Sequence, residues 1–289
     1  MSSVHTSPVA SSRTRFRFGR NWQSYARVVD EAAVERARTS IIELTGPLDP
    51  SWETFLDIGS GSGLFSAAAT HLGLEVRAFD YDIDSVEATR STLERFAEAG
   101  VSWQVDRGDI LDPEYVARLG PSDIVYAWGV LHHTGDMWTA LTNTAGLVAE
   151  DGILILAIYN DQGWVSEFWR IIKRSYARYP VLRPFLLAGT FLRFWARSIA
   201  RDTLRHWDPL HSWRHHGQRE PRAMSAWHTL VDWVGGYPFD VASPDEVGIA
   251  LQKLGLNVEK SILIVDGSGN NQFVARKASW SRRLGNDRQ

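Results

Sequence analysis

From residue 54 the chain alternates short apolar runs with helical patterns, and this alternation limits the fold more than any other feature. "TFLDIG" reads as a buried strand and residues 64–71 as a helix; "EVRAFD" is a second strand, followed by a helix over 84–99 that Gly100 ends. "SWQVDRGDI", "SDIVYAWGV", a helix over 136–148 and "GILILAIYN" continue the series. Strands separated by helices predict parallel pairing, because parallel neighbours need crossover connections, and hence a doubly wound α/β core.

Other segments attach to this core. Residues 1–12 are Ser-rich and read as a disordered tail, and 279–289 as a flexible one. Within 13–53, residues 22–44 carry helical spacing that Gly46 and Pro47 stop, which predicts an N-terminal helical cap of one or two helices. The core is expected over 54–161 and 241–278, with an inserted helical lid over 162–240 that binds substrate. That insertion holds 12 Lys+Arg (11 Arg and Lys173) against six acidic residues, in a chain of net charge -3, and seven of the 13 tryptophans. After it, "SPDEVGIALQKLG" has an N-cap serine, Pro244 in the first turn and Gly255 at its end. "LNVEKSILIV" and "NNQFVARK" around "DGSG" predict a closing antiparallel hairpin.

With 289 residues and 44% hydrophobic content, a sizeable buried core is expected. Zero cysteines remove thiolate catalysis, disulfides and zinc-thiolate sites. The near-neutral balance argues against nucleic acid as a partner, and no apolar run reaches the roughly 18 residues of a membrane span, so a cytoplasmic location is expected. Oligomeric state is not readable.

The run "LDIGSGSG" ends a strand and opens a helix, where glycines permit a tight turn and the helix start offers free N–H groups to a nucleotide-like ligand. About twenty residues on, Asp80 ends the second strand, where such folds place a carboxylate for ribose hydroxyls. A nicotinamide fingerprint would put a third glycine or alanine at position 66, where this chain has Ser66. With "FDYD", "GDILD" and "YAWGVLHHTGD", the sequence resembles the class I S-adenosylmethionine-dependent methyltransferases.

That resemblance covers roughly 55–159 with the hairpin and implies a Rossmann-like, seven-stranded sheet with S-adenosyl-L-methionine as cofactor. It implies Gly59, Gly61 and Gly63 beneath the methionine and ribose, Asp57 near the amino end, and Asp80 on the ribose. Asp109 and Ile110 would take the adenine edge and face, Tyr81 would stack on the adenine, and Trp128 joins the cofactor-binding set. "RFRFGRNW" and "GGYPFDVASPDEV" resemble a small-molecule branch of the ubiquinone-pathway type, in which Phe18, Asn21 and Trp22 would close over the cofactor.

"LHHTGD" falls just past the fourth strand, where open α/β sheets bind ligands. Adjacent loop residues usually point apart, so one histidine is expected to face substrate: His133 as a base titrating near neutrality, with His132 orienting it. The competing reading has both bonded to backbone beside Thr134 and Asp136. No metal site is expected, since neighbouring residues cannot readily chelate one ion. Tyr159 joins the catalytic candidates; Asn160, Asp161 and Tyr237 are the expected substrate contacts. His215 and His216, near Arg214 and Arg219, read as solvated or anion-facing.

The expected reaction is methylation of a small molecule, at the oxygen of a phenol, sugar or natural-product hydroxyl. Carbon methylation of an electron-rich aromatic such as an indole, or N-methylation, are the alternatives. "FWRIIKRSYARY" and "FLRFWARSIAR" mix basic and aromatic residues as interfacial helices do, which keeps peripheral membrane contact open, with RNA binding as a further class.

Overall fold

In the computed structural model, residues 16, 18–214, 226–264 and 269–277 are described. Both predicted tails, His215, His216 and Arg219, and most of "DGSG" lie outside the described residues. Seven strands form one sheet in the order β3-β2-β1-β4-β5-β7-β6: β1 (Thr54–Ile58), β2 (Glu75–Asp80), β3 (Trp103–Arg107), β4 (Ser122–Trp128), β5 (Val148–Tyr159), β6 (Leu256–Ile262) and β7 (Asn270–Lys277). The first five run parallel, and β7 pairs antiparallel with both β5 and β6. This is the expected doubly wound sheet with its closing hairpin.

Strand residues alternate between two cores, as a period of two requires. Phe55, Ile124 and Ile155 face one buried cluster, while Leu56, Val125 and Leu156 face the other. Helices α1 (Gly19–Ala26), α2 (Glu31–Thr45), α3 (Leu64–Thr70) and α4 (Ile83–Phe96) contribute to the first. Helices α5 (Pro113–Leu119), α6 (Met137–Gly146) and α11 (Pro244–Lys253) cover the second. Local chemistry sets their ends: Asp30, Asp82, Asp112 and Asp136 each accept a first-turn N–H. Ser243 and Glu246 close a capping box on α11.

Two details differ from the sequence reading. Helix α4 stops at Phe96, because Ala97 is already extended three residues before Gly100. Helix α5 is an addition, started by Asp112 at its N-cap and Pro113 in its first turn.

Between β5 and α11 stand α7 (Trp164–Arg178), α8 (Arg183–His206), the short α9 (His211–Arg214) and α10 (Ala226–Gly235). Helices α7, α8 and α10 share a small core around Tyr176, Leu230 and Val234, on which Phe16 also packs. Among the described residues no helix is long and apolar enough to cross a membrane.

Candidate functional site

The sheet reverses its winding between β1 and β4, so a crevice opens beyond their carboxyl ends. The glycine loop lies there. Gly59 and Ser60 N–H both donate to Phe79 O, at 2.8 and 3.1 Å, which ties the loop to the end of β2. Gly63 has φ 75, and a Cβ on it would stand 2.7 Å from Thr89 Cα, so only glycine lets α3 and α4 meet. At Gly59 the space a Cβ needs is taken by Val130. Gly61 lies beneath the Trp22 ring.

Around this loop is a pocket lined by Trp22, Asp57, Ser60, Ser62, Phe65 and Trp128. Asp57 is buried and accepts from Ser66 Oγ at 2.6 Å, which gives Ser66 a role that glycine or alanine could not fill. Asp80 Oδ2 accepts from Gly61 N–H at 3.1 Å and its Oδ1 from Asp82 N–H at 2.9 Å. Desolvation pushes its carboxyl up to about 6, against those two hydrogen bonds. Tyr81 is exposed, with the Arg107 guanidinium 5.9 Å from its ring centre. Asp109 accepts from Leu111 N–H at 2.9 Å, whereas Ile110 is buried within the second core.

Helix α1 connects this pocket to the histidine pair. Gly19 N–H donates to Asp82 at 3.0 Å, Trp22 covers Gly61, and Phe18 packs its ring 4.9 Å from that of His133. Asn21 faces the inserted helices, donating to Asp232 on α10 at 2.7 Å.

His132 and His133 sit in a short 3-10 turn after β4. The expectation that they point apart is not met: their rings are 4.4 Å apart, and both pack on Tyr159, at 3.9 and 5.5 Å. In the 3-10 turn successive side chains lie about 120° apart, rather than on opposite faces as in an extended strand, so the two rings can meet. His133 Nδ1 lies 2.7 Å from Pro238 O. A carbonyl only accepts, so the proton is assigned to Nδ1 and the Nε2 lone pair is left free. Titration near neutrality is also not met, because desolvation, then Lys173, pushes His133 down to about 3. His132 is fully buried and held well below its ordinary value by desolvation, then by His133 and Lys173. Its Nδ1 accepts weakly from Tyr159 N–H at 3.4 Å, which assigns the proton to Nε2, and that atom is buried with no partner.

Tyr159 is the hub of a group the sequence reading did not single out. Its ring centre is 5.5 Å from Trp233 and 5.3 Å from Phe239, and its phenol is pushed upward by desolvation and Asp232. Lys173, fully buried, brings Nζ to 4.6 Å from the Trp233 ring centre, 4.7 Å from Phe239 and 5.7 Å from Tyr159, and donates to Trp233 O. Desolvation lowers its amine to about 7, partly opposed by Asp232. Asp232 is raised to about 7, again by desolvation, against the Asn21 hydrogen bond and Lys173. A signal was present in the sequence: on α7, Trp169, Lys173 and Tyr176 share the buried face, so one lysine stands in an apolar stripe.

Two expected substrate residues turn elsewhere. Asn160 Oδ1 accepts from Asn271 Nδ2 at 2.9 Å, fastening β5 to the hairpin, and Asp161 is exposed and accepts from Gly163 N–H at 2.9 Å. Both are consumed in local structure because β5 ends at Tyr159 and the chain turns there. Tyr237 is half-buried, its carbonyl accepting from Phe16 N–H at 2.9 Å. Among the described residues no group of three His, Asp or Glu could hold a metal ion.

Residues 56–154, from β1 into β5, match the family model described as a methyltransferase domain. This stretch of the chain is thus similar to methyltransferase domains. The chain is 28% identical over 149 residues to a ubiquinone biosynthesis O-methyltransferase of Rhodopseudomonas palustris, covering 52% of this chain and 53% of the relative. It is 32% identical over 96 residues to ribosomal RNA small subunit methyltransferase C of Chromohalobacter salexigens, over 32% of this chain and 29% of that one. The chain thus spans at most about half the length of these curated relatives. An O-methyltransferase family protein from Burkholderia thailandensis shares the fold, with a TM-score of 0.51 at 13% identity over 86% of this chain and 58% of that one.

Proposed function

We propose that this protein transfers the methyl group of S-adenosylmethionine to a small molecule, at an oxygen. One observation carries the reading: a cluster of buried His132 and Lys173 with half-buried His133 and Tyr159 adjoins the glycine-loop pocket through Val130 and α1. Groups so enclosed favour an acceptor small enough to be surrounded, rather than a folded RNA or protein.

The residues of the pocket fit the cofactor. Asp80 spends two acceptor sites on Gly61 and Asp82, and a carboxylate has room for about four, so lone pairs remain for ribose hydroxyls. Asp57, Gly59, Gly61 and Gly63 would hold the methionine end under Trp22 and Trp128, with Tyr81 and Asp109 toward the adenine. When bound, the cofactor supplies a methyl group activated by its sulfonium.

His133 presents an Nε2 lone pair and is fixed through Nδ1 by Pro238. Its weak basicity suffices here, because an acceptor hydroxyl becomes strongly acidic as its oxygen gains a methyl group. Helices α7–α10 act as a lid that shuts the cluster from water, and alignment within it supplies most of the rate. The flat walls of Tyr159, Trp233 and Phe239 also suit an aromatic acceptor, which keeps carbon methylation of an indole-like ring as the second reading.

A lipophilic acceptor drawn from a membrane surface has its own support. Trp164 is 79% exposed, Val181 72% and Phe185 71%, beside the exposed Arg174 and Arg178. Flotation with anionic but not neutral vesicles is the expected result under that reading, and no flotation removes it.

Incubation with isotopically labelled S-adenosylmethionine and fractionated small-molecule extracts tests the main proposal. Label should enter a small molecule, at oxygen by fragmentation; label found only in RNA or protein overturns it.

A further inference from the structure

Lys173 is a buried cation without an anion. It donates to Trp233 O and stands among three aromatic rings, yet among the described residues no carboxylate is in ion-pair contact with it. Asp232, the neighbouring acid, is engaged by Asn21 instead. Buried charges in proteins are ordinarily paired, so this arrangement lacks a partner. Two further buried groups lack one as well. Trp233 Nε1 can only donate, and His132 Nε2 is a donor because its Nδ1 accepts from Tyr159 N–H; neither has an acceptor. All three gather around the Tyr159 ring.

A cation and two orphaned N–H donors describe the complement of one chemical group. We propose that the acceptor subsite binds a carboxylate, its charge neutralised by Lys173 and its oxygens taking hydrogen bonds from His132 Nε2 and Trp233 Nε1. The rings of Tyr159 and Phe239, in contact with each other at 5.3 Å, would form one wall beside the carbon frame that carries it. The substrate class is therefore an aromatic or otherwise planar carboxylic acid. This rests on the methyltransferase reading, since it assigns the second ligand of that site.

The test uses full-length protein saturated with S-adenosylhomocysteine, with 3,4-dihydroxybenzoate and 4-hydroxybenzoate as probes beside their methyl esters, followed by ligand-observed NMR. The acids should bind at least tenfold more tightly than the esters. Lys173→Met should abolish that preference while binding S-adenosylhomocysteine as the parent does. Esters binding as well as acids, no binding by any probe, or a preference kept in Lys173→Met overturns the proposal. Where Lys173→Met fails to hold S-adenosylhomocysteine, Trp233→Phe decides: a reduced preference supports the carboxylate, an unchanged one overturns it. Failure of the parent protein to bind S-adenosylhomocysteine would instead overturn the methyltransferase reading.

Discussion

Asn21 on α1 donates from Nδ2 to Asp232 Oδ1 on α10 at 2.7 Å, joining segments 211 residues apart in sequence. The bond ties α1, whose N-cap Phe18 packs on His133, to the inserted helices. Replacing it with Asn21→Leu removes the donor from a desolvated carboxyl and should cost about 1–3 kcal/mol. Urea unfolding followed by tryptophan fluorescence measures the loss; unchanged stability would show that the contact contributes nothing.

Lys173 gives stability a definite pH dependence. Its folded amine releases a proton near 7, whereas the unfolded chain keeps it until about 10.5. Between those values the unfolded state binds more protons, so this group's penalty is full below pH 7 and is relieved as pH rises toward 10.5. Asp232 acts in the lower window: it keeps a proton to about 7 that the unfolded chain releases near 3.8, so its contribution falls as pH rises between them. Lys173→Met should flatten the upper window and, by removing the charge that lowers Asp232, carry the Asp232 window upward, read from melting temperatures between pH 4 and 10.

Gly63→Ala places a side chain at φ 75 and 2.7 Å from Thr89 Cα. Left-handed strain of roughly 1–2 kcal/mol adds to a backbone collision, so the variant should be destabilised by more than about 2 kcal/mol. It should also bind S-adenosylhomocysteine more weakly, by calorimetry, whereas Gly73→Ala, with open space around its Cβ, should keep parental affinity.

The Asp80 carboxyl is held up to about 6 while it awaits further donors. Ribose hydroxyls donate more strongly to the ionised carboxylate than to its protonated form, so affinity for S-adenosylhomocysteine should be constant above pH 7 and fall below about 6. Asp80→Asn should bind at least about tenfold more weakly, the loss of one charge-assisted pair of hydrogen bonds. It should also lose the pH dependence; a profile unchanged from the parent removes Asp80 from the site.

His133→Asn keeps a donor for Pro238 O and deletes the Nε2 lone pair. Turnover should fall by about tenfold to a hundredfold with cofactor affinity unchanged, the signature of a group needed only in the chemical step. Because burial holds His133 near 3, the parent's rate should show no inflection from this group around 6.5. Equal turnover would leave His133 as a packing residue.

Much of this was legible because it is local. "TFLDI" and "EVRAFD" are strands by composition, Ser243 with Glu246 is a cap by spacing, and "LDIGSGSG" can turn only in a few ways. The sequence also located the histidine pair past β4. It did not show the bonds of Asn160 and Asp161, since their position at a strand end says nothing of Asn271 or Gly163, which engage them.

By itself, then, the sequence determined the order of elements, the doubly wound sheet and the place of the cofactor loop, because backbone propensity, period and turn chemistry act over a few residues. Only the tertiary structure decided what surrounds His133 and Lys173. Their protonation is set by desolvation and by neighbours from β5, α7, α10 and the segment ahead of α11, and burial between distant elements is a property of packing that no short stretch of chain encodes.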